Sequence, residues 1–135
     1  MALDFDRSII GSEFDRTVFA PVTKEAILEY ASTSGEPARN DVTAPPTFVV
    51  RLRGHRWMPE NLPKSLGRAS FDAGKDIDFG VPVRVGDVLT AVSTVHDIYE
   101  KTGRTGSMAF VVLRTLVTNQ RDDRVAIIDQ KMMFR

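Results

Sequence analysis

Residues 23–34 read TKEAILEYASTS, and the fold follows from them. Ile27, Tyr30, Ala31 and Ser34 recur at i, i+3, i+4 and i+7, a spacing that lines one face of an α-helix. Thr23 stands where an N-cap hydroxyl accepts from a free amide of the first turn. Glu25 sits near the positive end of the helix dipole, and Gly35 is placed for the left-handed position that ends a helix. No other segment carries so long and so well punctuated a helical pattern. The chain after it is dominated by β-patterned runs, so one helix has a whole sheet available to bury it.

Ahead of the helix, Gly11 marks a turn, and Phe14, Val18 and Phe19 form a strand-like run leading to Pro21. Behind it, a polar loop over residues 36–43 reaches Ala44-Pro45-Pro46-Thr47-Phe48, where two prolines enforce extended backbone before a short helix over residues 47–53. Residues 54–66, GHRWMPENLPKSL, hold two prolines and the only tryptophan and follow no period. They read as an ordered loop, a lid that gives Trp57 and Met58 an apolar surface to cover. From residue 68 the pattern is β. Phe71, Ile77 and Phe79 mark a first strand with a bulge at Gly74. Residues 83–87 turn the chain into a Val- and Thr-rich strand over 88–99, and residues 101–104 form a hairpin connection. Residues 107–118 are the most apolar strand and belong mid-sheet; 119–123 turn, and 124–134 close an antiparallel meander of consecutive hairpins.

Composition narrows the function. The chain of 135 residues is long enough for one domain with a substantial core. Its 18 basic and 18 acidic residues cancel, which removes a global field for nucleic acid or anionic membrane. With no cysteine there are no disulfides and no thiolate chemistry, and the expected compartment is the cytoplasm. The N-terminal MALDFDRS has acids where a signal peptide needs bases, and the longest apolar run is far shorter than a membrane span. Two distant histidines with no paired-acid spacing give no basis for a metal site.

Four stretches carry a family resemblance. They are Tyr30-Ala31…Gly35-Glu36-Pro37 followed by Ala44-Pro45-Pro46-Thr47-Phe48, then Pro82-Val83-Arg84-Val85-Gly86-Asp87, then residues 98–113, IYEKTGRTGSMAFVVL. In this order they resemble the MaoC-like dehydratases, and more closely the FAS1-like dehydratase domain, over roughly residues 10–135. The resemblance implies an α+β hotdog fold, an antiparallel sheet wrapped around one central helix, as a single domain over residues 1–135. It implies (R)-specific enoyl-thioester hydratase or 3-hydroxyacyl-thioester dehydratase chemistry. The substrate is carried as a coenzyme A or acyl-carrier-protein thioester, with no further cofactor. Two hotdog units pair side by side and share an acyl tunnel.

Catalytic members read Gly-Asp-x-Asn-Pro-x-His after the helix, the aspartate and histidine forming the acid–base pair. Here Gly35 matches, Glu36 falls at the aspartate, Ala38 and Arg39 replace Asn-Pro, and Asp41 falls at the histidine. A carboxylate cannot supply the neutral donor-plus-acceptor of an imidazole. Pro46 takes the place of a glycine whose amide serves the oxyanion, and proline has no N–H. The resemblance therefore implies a noncatalytic subunit that pairs with a MaoC-like catalytic chain and shapes the tunnel. The rival readings are a self-sufficient homodimeric hydratase using Glu36, Asp41 or His55, a non-enzymatic acyl-thioester binding module, and a thioesterase using Glu25 or Glu29. Expected substrate-binding residues are Tyr30, Pro46, Thr47, Phe48 and Trp57. Arg51, Arg53 and Arg56 form a basic cluster suited to coenzyme A phosphates or a carrier-protein surface. The second histidine, His96, reads as an ordinary strand residue.

Overall fold

The computed structural model describes residues 5–35, 43–64, 66–67, 69–104 and 106–135. Five strands, β1 (Glu13–Val18), β2 (Ser70–Phe79), β3 (Thr90–Gly103), β4 (Gly106–Thr118) and β5 (Arg124–Phe134), form one antiparallel sheet in the order β1-β3-β4-β5-β2. Among the described residues one α-helix, α1 (Lys24–Ser34), follows β1, and a 3-10 helix spans Pro46–Arg51. Strand β4, whose centre is Phe110-Val111-Val112-Leu113, lies mid-sheet as its apolar character demands.

Capping of α1 follows its sequence. Thr23 Oγ1 accepts from Ala26 N at 3.1 Å, and Gly35 ends the helix at φ 75°, in the left-handed region. The buried stripe is narrower than the spacing suggests. Ile27 is fully buried, Ala26, Tyr30 and Ala31 are half-buried, and Ser34 is exposed. Ile27 inserts into the larger of two core clusters, with Phe48, Val49, Leu89, Ala91, Val117, Val125 and Ala126. The second cluster, under the other half of the sheet, gathers Ile9, Val95, Ile98, Val111 and Leu113. Phe5, Phe14, Met58, Leu62 and Met132 pack onto it.

The meander holds for β3, β4 and β5 but not for β2. That strand lies beyond β5 at the sheet edge, pairing Ile77 with Ile128 and Lys75 with Gln130. The physical reason is the connection after it. Residues 80–89 are too long for a hairpin and bury Val83 and Leu89, so they cross the end of the sheet. The crossing is tied down by Gly80 N to Val125 O at 2.8 Å, Val81 N to Arg124 O at 2.9 Å and Gly86 N to Val22 O at 2.8 Å. The bulge in β2 falls between Asp72 and Gly74, with Gly74 at φ 123°. The β3–β4 hairpin is tighter than expected, because both strands run on until Gly103 opposes Gly106.

The register places side chains in rows on each face. The inner face carries Ala91–Val117–Ala126, then Ser93–Thr115–Ile128, then Val95–Leu113–Gln130, then Ile98–Val111–Met132. On the outer face, Arg114 grips Asp129 with two bonds of 2.8 Å, and Tyr99 stacks on Phe110 at 5.1 Å with Lys101 beside both rings. Arg114 holds the Asp129 carboxyl below the usual carboxylate range, chiefly through these hydrogen bonds.

Two outcomes test this packing. Ile27→Ala is expected to cost about 2–5 kcal/mol in urea denaturation, whereas Leu28→Ala, 43% exposed, costs roughly 1 kcal/mol or less. A depressed carboxyl contributes stability above its unfolded pKa and loses it as pH falls through the folded one. Arg114→Met should therefore be less stable than the parent at neutral pH, and the difference should shrink to nothing as pH falls below the carboxylate range.

Candidate functional site: a cavity on the inner face of the sheet

Strand β1 alternates, with Asp15 and Thr17 facing inward and Arg16 and Val18 outward. Asp15 is 8% exposed, and a carboxylate so placed must be satisfied by the protein. Its Oδ2 accepts from Thr17 Oγ1 at 2.8 Å and from His55 N at 3.2 Å, and its Oδ1 accepts from Arg56 N at 3.1 Å. Thr17 Oγ1 also accepts from His55 N at 3.1 Å. The backbone at 54–56 is thereby bolted to the sheet edge. Gly54 lies against the same carboxylate, where a Cβ would collide with Asp15 Oδ2.

This attachment carries the segment after the 3-10 helix over the inner face and leaves a cavity of about 380 Å³ beneath it. That volume is within the range of small-molecule sites, about 300–1,000 Å³. Its floor is the sheet: Ala91, Ser93, Leu113, Thr115, Val117, Ile128 and Gln130. Its roof is Val49, Val50 and Leu52, and Arg53, Arg56 and Trp57 stand on the covering segment. Asp72 and Lys75, both from β2, complete the wall at the sheet edge.

The expected site residues divide into three groups. Trp57, Arg53 and Arg56 line the cavity. Trp57 is nevertheless 75% exposed, and it is Met58, half-buried, that reaches the second core cluster. Arg56 also reaches Glu60 at 3.4 Å, an exposed pair of little energetic weight.

Tyr30, Pro46, Thr47, Phe48 and Arg51 lie outside the cavity lining and form the joint between α1 and the 3-10 helix. Tyr30 OH donates to Thr47 Oγ1 at 2.7 Å, and the Tyr30 and Phe48 rings meet edge-to-face at 5.7 Å. Arg51 lies over the Phe48 ring at 4.9 Å and donates to Ala26 O at 3.2 Å. Pro46 begins the 3-10 helix, a position where its missing N–H removes no helical bond. The carboxylate candidates Glu36 and Asp41 fall outside the described residues. His55 contributes its backbone N–H to Asp15, and the residue is exposed and outside the cavity lining. Exposed His96 sits at the bulge of β3, and Glu25 and Glu29 lie exposed on α1.

Asp15, Ser93, Thr115 and Gln130 carry the polar character of this region and were not marked by the sequence. Ser93 and Thr115 read as ordinary residues of Thr- and Val-rich strands. The one available signal was Asp15-x-Thr17, two polar residues on the face of a strand that must turn inward.

Loss of the Asp15 attachment should loosen the cavity roof. Asp15→Asn removes an acceptor and is expected to cost about 1–3 kcal/mol. Gly54→Ala should produce the same loosening from the other side, read as faster amide exchange at residues 54–57 in both variants. Unchanged exchange in both would mean that the roof is held elsewhere.

With this geometry in hand, comparison with known proteins gives a consistent result. Residues 8–128 match the family model for the FAS1-like dehydratase domain region. A UPF0336 protein of Streptomyces coelicolor is 31% identical, covering 76% of this chain and 78% of its own. A MaoC-like dehydratase from Rhodospirillum rubrum superposes with a TM-score of 0.62 at 18% identity, over 93% of this chain and 91% of that one. The HadBC complex of Mycobacterium tuberculosis, a (3R)-hydroxyacyl-ACP dehydratase, superposes with a TM-score of 0.64 at 22% identity, over 93% and 96% of the two chains. The architecture is the hotdog fold.

Proposed function

The chain belongs to the FAS1-like dehydratase domain family, and from that premise we propose that it is the noncatalytic hotdog subunit of an (R)-specific enoyl-thioester hydratase or 3-hydroxyacyl-thioester dehydratase. In this reading it pairs with a MaoC-like catalytic chain and shapes the cavity that holds the acyl group. The observation that carries the proposal is the double role of β2. Residues of this edge strand, Asp72 and Lys75, wall the cavity, and the strand is exposed along almost its whole length. Phe71 and Phe79, each 44% exposed, stand near its two ends. A ten-residue strand with an unpaired edge and exposed rings is a template for another chain. A partner added there would close the cavity wall as it satisfied the edge.

The chemistry assigned to the pair is reversible addition of water to the double bond beside a thioester carbonyl. Hydroxyl adds to the β-carbon and a proton to the α-carbon; dehydration reverses both. It requires a carboxylate and an imidazole at the reacting atoms and an N–H donor for the enolate-like oxygen. By the family resemblance, Glu36 and Asp41 fall where catalytic members carry that pair, and Pro46 takes the donor's place. The catalytic groups are therefore assigned to the partner. This chain's contribution is the apolar cavity, with Arg53, Arg56 and Lys75 available to the phosphates of coenzyme A or a carrier-protein prosthetic group.

The test is hydration of crotonyl-coenzyme A by the purified chain alone and after co-expression with a MaoC-like chain carrying the intact Asp/His pair. The expected result is no turnover alone, turnover from the pair, and a native mass equal to the sum of both chains. Turnover by this chain alone, lost in Glu36→Gln, Asp41→Asn or His55→Ala, would establish a self-sufficient hydratase instead.

A further inference from the structure

The cavity floor contains one feature that a saturated acyl chain does not use. Ser93 on β3 and Thr115 on β4 face each other on the inner side of the sheet, with their hydroxyl oxygens 2.8 Å apart. Ser93 is 9% exposed and Thr115 half-buried, and both line the cavity. Two hydroxyls bring two protons, and the bond between them uses one. Among the described residues neither hydroxyl has another partner, so one O–H is left without an acceptor.

Along β3 and β4 the rows that flank this pair are apolar, and the polar neighbours, Asp15 on β1 and Gln130 on β5, have hydrogen-bond partners of their own. The row before it is Ala91 and Val117, and the row after it holds Leu113 and Gln130, whose amide donates to Asp72 Oδ1 and Gly74 O. Ile128 sits beside Thr115 on β5, and Asp15, opposite Ser93 on β1, already accepts from Thr17, His55 and Arg56. Val49, Val50 and Leu52 face the floor from the roof. A spare donor between apolar stretches matches a ligand with the order apolar, oxygen, apolar. Desolvating the pair under a plain hydrocarbon chain would leave that donor unsatisfied, at a cost that an oxygen on the chain removes.

Building on the acyl-cavity reading above, we infer that the preferred acyl group carries an interior oxygen, as a hydroxyl or oxo substituent remote from the thioester, which accepts from the Ser93–Thr115 pair. The pair is thus a specificity element for oxygenated acyl thioesters. It takes no part in the hydration step.

Trp57, the sole tryptophan, stands at the cavity and reports its occupancy by fluorescence. The experiment titrates the full chain with decanoyl-coenzyme A and with a set of hydroxydecanoyl-coenzyme A thioesters whose hydroxyl is moved carbon by carbon along the chain. At least one interior position is expected to bind about fivefold more tightly than the unsubstituted thioester, the equivalent of one neutral hydrogen bond. The preference should disappear in Ser93→Ala/Thr115→Val, a pair of near-isosteric changes, while decanoyl-coenzyme A binds that variant at least as well. Ser93→Ala alone leaves one unpartnered O–H, on Thr115, and should keep the preference, which separates loss of the donor from a folding defect in the double variant. Equal affinity along the whole series, or a preference that survives the double substitution, overturns the inference and leaves the acyl cavity standing, the spare O–H then belonging to a bound water. If no thioester binds saturably to the chain or to the pair co-expressed with a MaoC-like chain, by fluorescence or by native mass spectrometry, the acyl-cavity reading falls with it.

Discussion

The cavity depends on one buried carboxylate. Asp15 on β1 accepts the backbone N–H groups of His55 and Arg56 and the hydroxyl of Thr17, and these bonds fix the covering segment to the sheet. Without them, residues 52–57 have no secondary structure to hold them over Ser93 and Thr115. Loops that lie over a sheet must find partners for their own amides, and here the sheet edge supplies them from a side chain. Gly54 is the complement of that arrangement, since a side chain at this position would occupy the space of the carboxylate.

From this attachment the division of the core follows. Helix α1 and the 3-10 helix close one half of the inner face through Ile27, Phe48 and Val49, and residues 5–10 with Met58 and Leu62 close the other. The cavity occupies the span between them, reached from the β2 edge by Asp72 and Lys75. An acyl group there would meet an apolar floor interrupted by a hydroxyl pair, and cations stand along the opening. The joint of Tyr30, Thr47, Phe48 and Arg51 sets the height of the roof from outside the cavity, through aromatic contact and two hydrogen bonds.

Much of the architecture was legible because local chemistry and global packing agree. Thr23 and Gly35 bound α1 as their capping chemistry requires, Gly74 marks the bulge in β2, and the apolar centre of β4 places it mid-sheet. The position of β2 was not legible, because a strand's pattern states which faces are buried and not which neighbour pairs with it. Nor was the exposure of Trp57, since hydrophobicity alone does not tell a lid residue from one left at a rim. The resemblance located the family, yet four of the large or polar residues it singled out form a structural joint instead of the cavity wall. Ser93 and Thr115 were invisible for a common reason. Each is a polar residue in a strand, and only the register shows that each turns inward.

On the proposed function, β2 becomes an internal strand when the chain assembles with its partner. Amide hydrogen exchange over residues 70–79 tests it most directly, measured on the assembled protein and again after dilution below its dissociation point. Strong protection of alternate amides of β2 is expected in the assembly, lost on dilution, with residues of β4 unchanged throughout. Rapid exchange along β2 in both states would contradict it, because the cavity wall would then be open in the working protein.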